Sequence, residues 1–312
     1  MNRYWLCGWR AIAEPELPEL RHRDDDLSAD LSIRFGEVPE SLEDAVLRTP
    51  FCSVSEDGRA LITVTAVARV LVRNGTEILI QPASGAPLSA IRLLIWDMAF
   101  PLLCRQRGLF PLHASCVEFD GQAVALAGPP ATGKSTLALA LAARGHRVLA
   151  DNVTVIDASA PGGPAVVPAF SFVSLWRDSL RNAEAGGLAF PHADPERMRP
   201  ELGKYQIRIG EPPHARDALP LRAVLCLGID SMAREPRVER VRGFEATRLI
   251  TTQASLRRAT LALWTADKLF QDSSRIAAKA FVARLKVRHV YRDLEELAIF
   301  AETAVERPPL PA

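Results

Sequence analysis

Gly128, Gly133, Lys134 and Ser135 stand in the order Gly-x-x-x-x-Gly-Lys-Ser within the stretch AGPPATGKST, directly after the apolar run AVAL. Glycines at this spacing let backbone N–H groups close around a phosphate with no Cβ in the way. A helix starting at the lysine adds its partial positive charge. The pattern therefore predicts strand, phosphate loop and helix, the Walker A arrangement. Pro129 and Pro130 lack N–H groups, so the donors must come from Ala131 onward, through Thr132, Gly133 and Lys134 to Ser135 and Thr136. Lys134 can bridge β- and γ-phosphates, and the Ser135 hydroxyl can ligate Mg²⁺. ATP and Mg²⁺ are the expected ligands.

Phosphoryl chemistry also needs a carboxylate near the metal and a group that orients or deprotonates the nucleophile. Two aspartates follow the predicted helix, Asp151 after RVLA and Asp157 after VTVI, and either can end a buried strand beside the loop. No Asn-Lys-x-Asp guanine motif is present, which argues against an ordinary GTPase. Lys204 and Arg208, in KYQIRI, are candidates to reach the γ-phosphate if the preceding Gly/Pro-rich stretch closes as a flap; a solvated strand position is the plain alternative for each. Trp176, in SLWRD, reads as core rather than as an adenine platform. Asp24, Asp25 and Asp26 read as a solvated loop, and Arg257 and Arg258 as the solvated face of a helix.

The elements that must position these groups follow from hydrophobic period and turn chemistry. Residues 1–104 read as a mainly β region ending in a helix. LSIRF and FCSV alternate as strands, and β-branched runs flank the hairpin signal Asn74-Gly75. LSAIRLLIWDMAFPLLCRQR changes to a period near 3.6, with Pro101 expected to kink or end it. Residues 105–312 read as an α/β region. It starts with two strands turning at Asp120-Gly121, then the loop, then the helix KSTLALALAARG capped by Gly145. HRVLAD, VTVID and LRAVLCLGID read as buried strands, APGGPAVVP as a loop and 184–220 as a long flap-like connection. Residues 254–283 read as largely helical, and LEELAIFAETAVE as a last helix.

The 312 residues are 48% hydrophobic and 24% charged with a formal charge of +1. That balance suits a soluble globular protein and gives no broad electrostatic basis for binding nucleic acid or an anionic membrane. Five widely spaced cysteines read as reduced thiols, Cys116 and Cys226 as core residues. The longest apolar neighbourhood is broken by Asp97 and Pro101, and the first residues lack a signal-peptide pattern, so a cytoplasmic location is expected.

PLHASCVEFDGQAVALAGPPATGKSTLALALAARGHRVLADNVTVID resembles the catalytic domain of HPr kinase/phosphorylase, and more closely the HPr-kinase-like proteins that accompany peptide-maturation genes, including those for lasso peptides. The matching positions are His113 one strand before the loop, Gly128 to Ser135, Arg144-Gly145, and Asp151 followed by Asn152. RNGTEILIQP, SLWRDSL and GKYQI extend the likeness weakly. The resemblance implies an α/β P-loop kinase domain of the HPr kinase/phosphoenolpyruvate carboxykinase type over 105–312. It implies phosphoryl transfer from ATP to a serine hydroxyl of a small protein or peptide. By position, Asp151 would be the general base, His113 would lie near the phosphates, and Mg²⁺ would bridge Ser135 and Asn152. Asn152 departs from the family's second acid, and an amide oxygen lacks the charge that strengthens metal binding. His113 alone also fits a buried histidine bonded to a backbone carbonyl. Two rivals stay open: a kinase for a small-molecule hydroxyl such as a sugar, and a nucleotide-responsive binding protein without catalysis. Self-association into a homo-oligomer is left open as well.

Overall fold

The computed structural model describes residues 1–170, 172–185, 195–199, 204–209, 218–230, 232, 235–287 and 294–306. Nine strands, from Asn2–Leu6 to Glu77–Pro82, form one mixed sheet. At the Asn74-Gly75 hairpin the last paired residues are Arg73 and Glu77, and both turn residues take positive φ, 58° and 65°. Asn and Gly tolerate that left-handed region best, which is why this dipeptide turns the chain here.

The helix that follows does not stop at Pro101. It runs as Leu88–Leu94, widens into a π turn over Ile95–Ala99, and resumes as Phe100–Gln106. An α turn through Pro101 would press its ring against the Asp97 carbonyl and leave that carbonyl without a donor. The wider turn, in which the Phe100 amide donates to Ile95, absorbs both problems.

The second sheet holds the predicted loop. Its order is Phe110–Leu112, Thr154–Asp157, Ala165–Val167, Leu219–Ile229, Gln122–Ala127, Ala114–Phe119 and Val148–Ala150, with Phe281–Val287 also on Leu219–Ile229. Leu219–Ile229 pairs in parallel with both Gln122–Ala127 and Phe281–Val287, and the other pairs within this order are antiparallel. The period of two sorts its faces. Val124, Leu126, Leu225 and Leu227 pack with the helices Lys134–Ala143 and Leu294–Glu306. Ala123, Ala125, Val224 and Cys226 pack with Gly243–Thr252 and Ala266–Lys279. Helices on both faces of a mixed sheet make this part a three-layer α/β fold. Asp120-Gly121 turns the hairpin between Phe119 and Gln122. Gly145, at φ 100°, ends the Lys134–Ala143 helix, with its own amide on Ala142 and the His146 amide on Leu141.

Two sequence expectations need correction. APGGPAVVP is not all loop, because Ala165–Val167 adds a strand. The span 184–220 contains the strands Pro195–Arg199 and Lys204–Arg208, which with Phe172–Trp176 form a three-stranded sheet. Its residues 186–194, 200–203 and 210–217 lie outside the described residues. The helix Gly243–Thr252 was masked in the sequence by Arg, Glu and Thr between its apolar positions. The five cysteines are free thiols, all buried. Among the described residues no helix is long and apolar enough to cross a membrane.

The two large sheets share one apolar cluster in which Trp96 and Phe100 meet Phe170 and Phe172. Ring centroids lie 5.4 Å apart for Trp96–Phe170, 5.8 Å for Phe100–Phe170 and 4.4 Å for Phe170–Phe172. Phe170→Ala removes the ring common to all three contacts and should cost about 3–5 kcal/mol of folding stability. Urea denaturation followed by tryptophan fluorescence measures it, and a loss under about 1 kcal/mol would show that the cluster does not join the sheets.

Candidate functional site

The strand Gln122–Ala127 delivers Gly128 to the sheet edge. Gly128 has φ 139°, and a Cβ there would meet the Leu227 carbonyl oxygen at 2.5 Å, so glycine is required for both reasons. The chain then turns through Ala131 at φ 62° and Gly133 at φ 87°, the residue that precedes the Lys134–Ala143 helix. No side chain caps that helix. Among the described residues the amides of Gly133, Lys134 and Ser135 have no acceptor, the condition in which a helix start attracts an anion.

Lys134 is buried at 7% exposure, with its ammonium 2.9 Å from the carbonyls of both Gly128 and Pro129. Thr132 Oγ1 donates to the Pro129 carbonyl at 2.8 Å and braces the same turn. Facing the loop is Asp151, 1% exposed. Its Oδ1 accepts from Ser135 Oγ at 2.9 Å and from Ser115 Oγ at 2.6 Å, and its Oδ2 accepts from the Ser174 amide at 2.8 Å. Ser115 and Ser174 escaped sequence reasoning, because nothing local marks a serine that meets an aspartate 36 or 23 residues away.

Asn152 takes φ 66°. Its carbonyl lies 3.1 Å from His113 Nδ1, and its amide nitrogen donates to Asp97 Oδ1 at 2.5 Å. Asp97 sits on the π turn and was read from sequence only as a break in an apolar run. Gln253 was also missed. Its carbonyl accepts from the His113 amide at 2.7 Å, and its Oε1 accepts from the Gly128 amide at 3.1 Å, tying the strand end and the loop start to one residue.

Two clefts adjoin these groups. One, of about 200 Å³, is lined by His113, Lys134, Ser135, Asp151, Trp176 and others including Thr136 and Ser179. A second, of about 460 Å³, is lined by Asp97, Gln253, Ser255 and Leu256, and it shares His113, Pro130 and Asn152 with the first. The buried Ser255 hydroxyl on the second cleft has no hydrogen-bond partner among the described residues.

The remaining candidates lie elsewhere. Asp157 turns back onto the Ser159 amide at 2.9 Å, so Asp151 and not Asp157 faces the loop. Arg208 donates to the Pro18 carbonyl of the first sheet region and does not approach the loop. Lys204 pairs through its backbone with Trp176, and its side chain lies outside the described residues. Arg144 grips Glu302 with two bonds, 2.7 and 2.9 Å, joining the loop helix to the last helix. Asp25 and Asp26 pair with Arg23 and Arg3. Trp176 is not core: it is 48% exposed and lines the first cleft.

No family model matches this sequence, and no curated protein matches it. Among solved structures, the chain is similar to the Hpr(Ser) kinase/phosphatase from Coxiella burnetii, at 13% identity over 63% of this chain and 93% of that chain, with a TM-score of 0.31. So loose a likeness assigns neither activity nor residues.

Burial pushes the Lys134 ammonium below the ordinary lysine value, against the pull of the Asp151 charge. The unfolded chain then holds this proton to higher pH than the folded chain does. Stability should therefore rise with pH in the range just below the ordinary lysine value of about 10.4. Lys134→Met should flatten that rise in urea denaturation repeated up to that pH. An unchanged slope would mean that the ammonium is not desolvated in the native state.

Proposed function

We propose that this chain is an ATP-dependent kinase that transfers the γ-phosphoryl group to a serine hydroxyl of a small protein or peptide. The observation that carries the reading is the convergence of three features on one cleft: open amides at a helix start, a buried lysine ammonium held inside the same loop, and a buried carboxylate bonded to Ser135. The serine acceptor comes from the resemblance of residues 111–157 to HPr-kinase-like proteins.

The residues present fit a nucleotide with its metal. Mg²⁺ is usually held by one or two protein oxygens plus phosphates and water, so the absence of a group of three His, Cys, Asp or Glu side chains among the described residues does not count against it. Ser135 Oγ with the Asn152 side-chain carbonyl oxygen would hold the ion. Bound there, Mg²⁺ would offset charge on the β- and γ-phosphate oxygens. Lys134 would exchange its two loop carbonyls for phosphate oxygens as the triphosphate enters. A carboxylate has about four lone-pair sites, and three donors already use Asp151, which leaves one for the acceptor hydroxyl. As the acceptor oxygen bonds to the γ-phosphorus and the bond to the bridging oxygen of ADP breaks, the hydroxyl proton would pass to Asp151. The second cleft, meeting the first at His113 and Asn152, is the side from which the acceptor would approach.

One observation favours a second reading, nucleotide binding without transfer. The Asn152 amide is engaged by Asp97, so the metal side of the site has one charge fewer than an acidic pair would supply. Asn152→Asp alone is a poor test of this, since it sets two carboxylates at hydrogen-bond distance and penalises ionisation of both. The exchange Asp97→Asn with Asn152→Asp keeps one amide and one acid.

With γ-labelled ATP and serine-containing peptides, parent protein should label peptide. Lys134→Ala should lose ATP binding by calorimetry, while Asp151→Asn should bind ATP and lose labelling by at least about a hundredfold. Parallel loss of binding and labelling in Asp151→Asn would reassign that residue to holding metal or fold. Binding with no label in any acceptor, and none restored by the 97/152 exchange, would establish the second reading. Label appearing on a sugar instead would change the acceptor class.

A further inference from the structure

The strand Phe172–Trp176 runs away from Asp151 along the first cleft. Its alternation is strict: Val173 and Leu175 enter the apolar cluster beneath the loop helix, while Ser174 and Trp176 are turned to the other face. Ser174 marks the phosphate end, because its amide donates to Asp151. Trp176 lies two residues further, on the order of 7 Å along an extended strand, on the same face as Ser174. That displacement matches a triphosphate tail in scale. Trp176 lines the cleft together with Ser179 and with Thr136, which is one residue past Ser135 along the loop helix. An indole left 48% exposed on a cleft rim, while Val173 and Leu175 are buried, has an apolar face that stacks on no ring among the described residues.

We infer that Trp176 is the stacking platform for the base of the bound nucleotide. The inference rests on the proposed use of the glycine loop for the phosphates and adds the group that selects a nucleoside over a bare polyphosphate. Lys134, Ser135 and the open amides contribute the charge-based part of affinity, which inorganic tripolyphosphate shares. The indole contributes a part that only a ligand with a flat aromatic base can use. Stacking of this kind tolerates any base, and the larger purine face gains most.

The experiment measures ATP and tripolyphosphate affinity by calorimetry, in parent protein and in Trp176→Leu and Trp176→Phe. Parent protein should prefer ATP, and its tryptophan fluorescence should fall on ATP but not on tripolyphosphate. Trp176→Leu should weaken ATP about tenfold to a hundredfold and leave tripolyphosphate unchanged, with Trp176→Phe between the two. Equal affinity of parent protein for the two ligands would overturn the inference while leaving the phosphate loop standing, as would a Trp176→Leu variant that keeps the parent's preference. Loss of both ligands by Trp176→Leu would overturn it too, marking Trp176 as structural. If parent protein binds neither ligand, the nucleotide reading itself fails and the inference with it.

Discussion

A carboxylate almost sealed from water is costly unless the fold supplies its hydrogen bonds, and Asp151 obtains them from three separate elements. Ser115 comes from the strand Ala114–Phe119, Ser135 from the first turn of the loop helix, and Ser174 from the small three-stranded sheet. None is adjacent to Asp151 in sequence. The charge can be buried only when all three are in register, so one side chain couples the loop to the large sheet on one side and to the small sheet on the other. Removing any donor leaves a buried carboxylate lone pair without its partner, a cost larger than the net contribution of the bond.

A second layer of ties fixes the loop from behind. Gln253 holds the start of the loop and the bend at His113 between the strands Phe110–Leu112 and Ala114–Phe119. Asp97 holds Asn152, in turn bonded to His113. The groups nearest the glycine loop are thus held by residues from the helix 88–106 and from the end of Gly243–Thr252, far apart in the chain. Such preorganisation is what phosphoryl transfer needs from a protein, since positioning and electrostatics do most of the work.

How much of this was legible beforehand depended on the range of the interaction. The loop, its helix, the Asp120-Gly121 turn and the Gly145 cap are local devices whose residue types carry their own geometry, and the structure has them at the expected positions. From its own residues Asp151 could be narrowed only to a pair with Asp157, because both end apolar strands; the family resemblance singled out Asp151 by position, and it is Asp151 that bonds Ser135 of the loop helix. Gln253, Ser115 and Ser174 left no trace and Asp97 only a break in an apolar run, since the partners of each lie 23 residues away or further. Trp176 was misread because an aromatic in an apolar run is usually interior, and only strand register shows which face it takes. The strands within 184–220 were obscured by glycine, proline and charge, which match turn chemistry better than a sheet.

The π turn at Ile95–Ala99 accommodates one residue more than an ordinary turn, so the helix on its far side is rotated by about 100° relative to an uninterrupted one. Sequence length in this helix is therefore a tuning variable for a distant neighbour. Excising a single residue there would put Pro101 back into an α turn, with its ring against the carbonyl four residues before it, and would swing the acidic group off the amide that it grips. Related chains that differ by one residue in this segment would be expected to keep the same shape while differing in how firmly residue 152 is held.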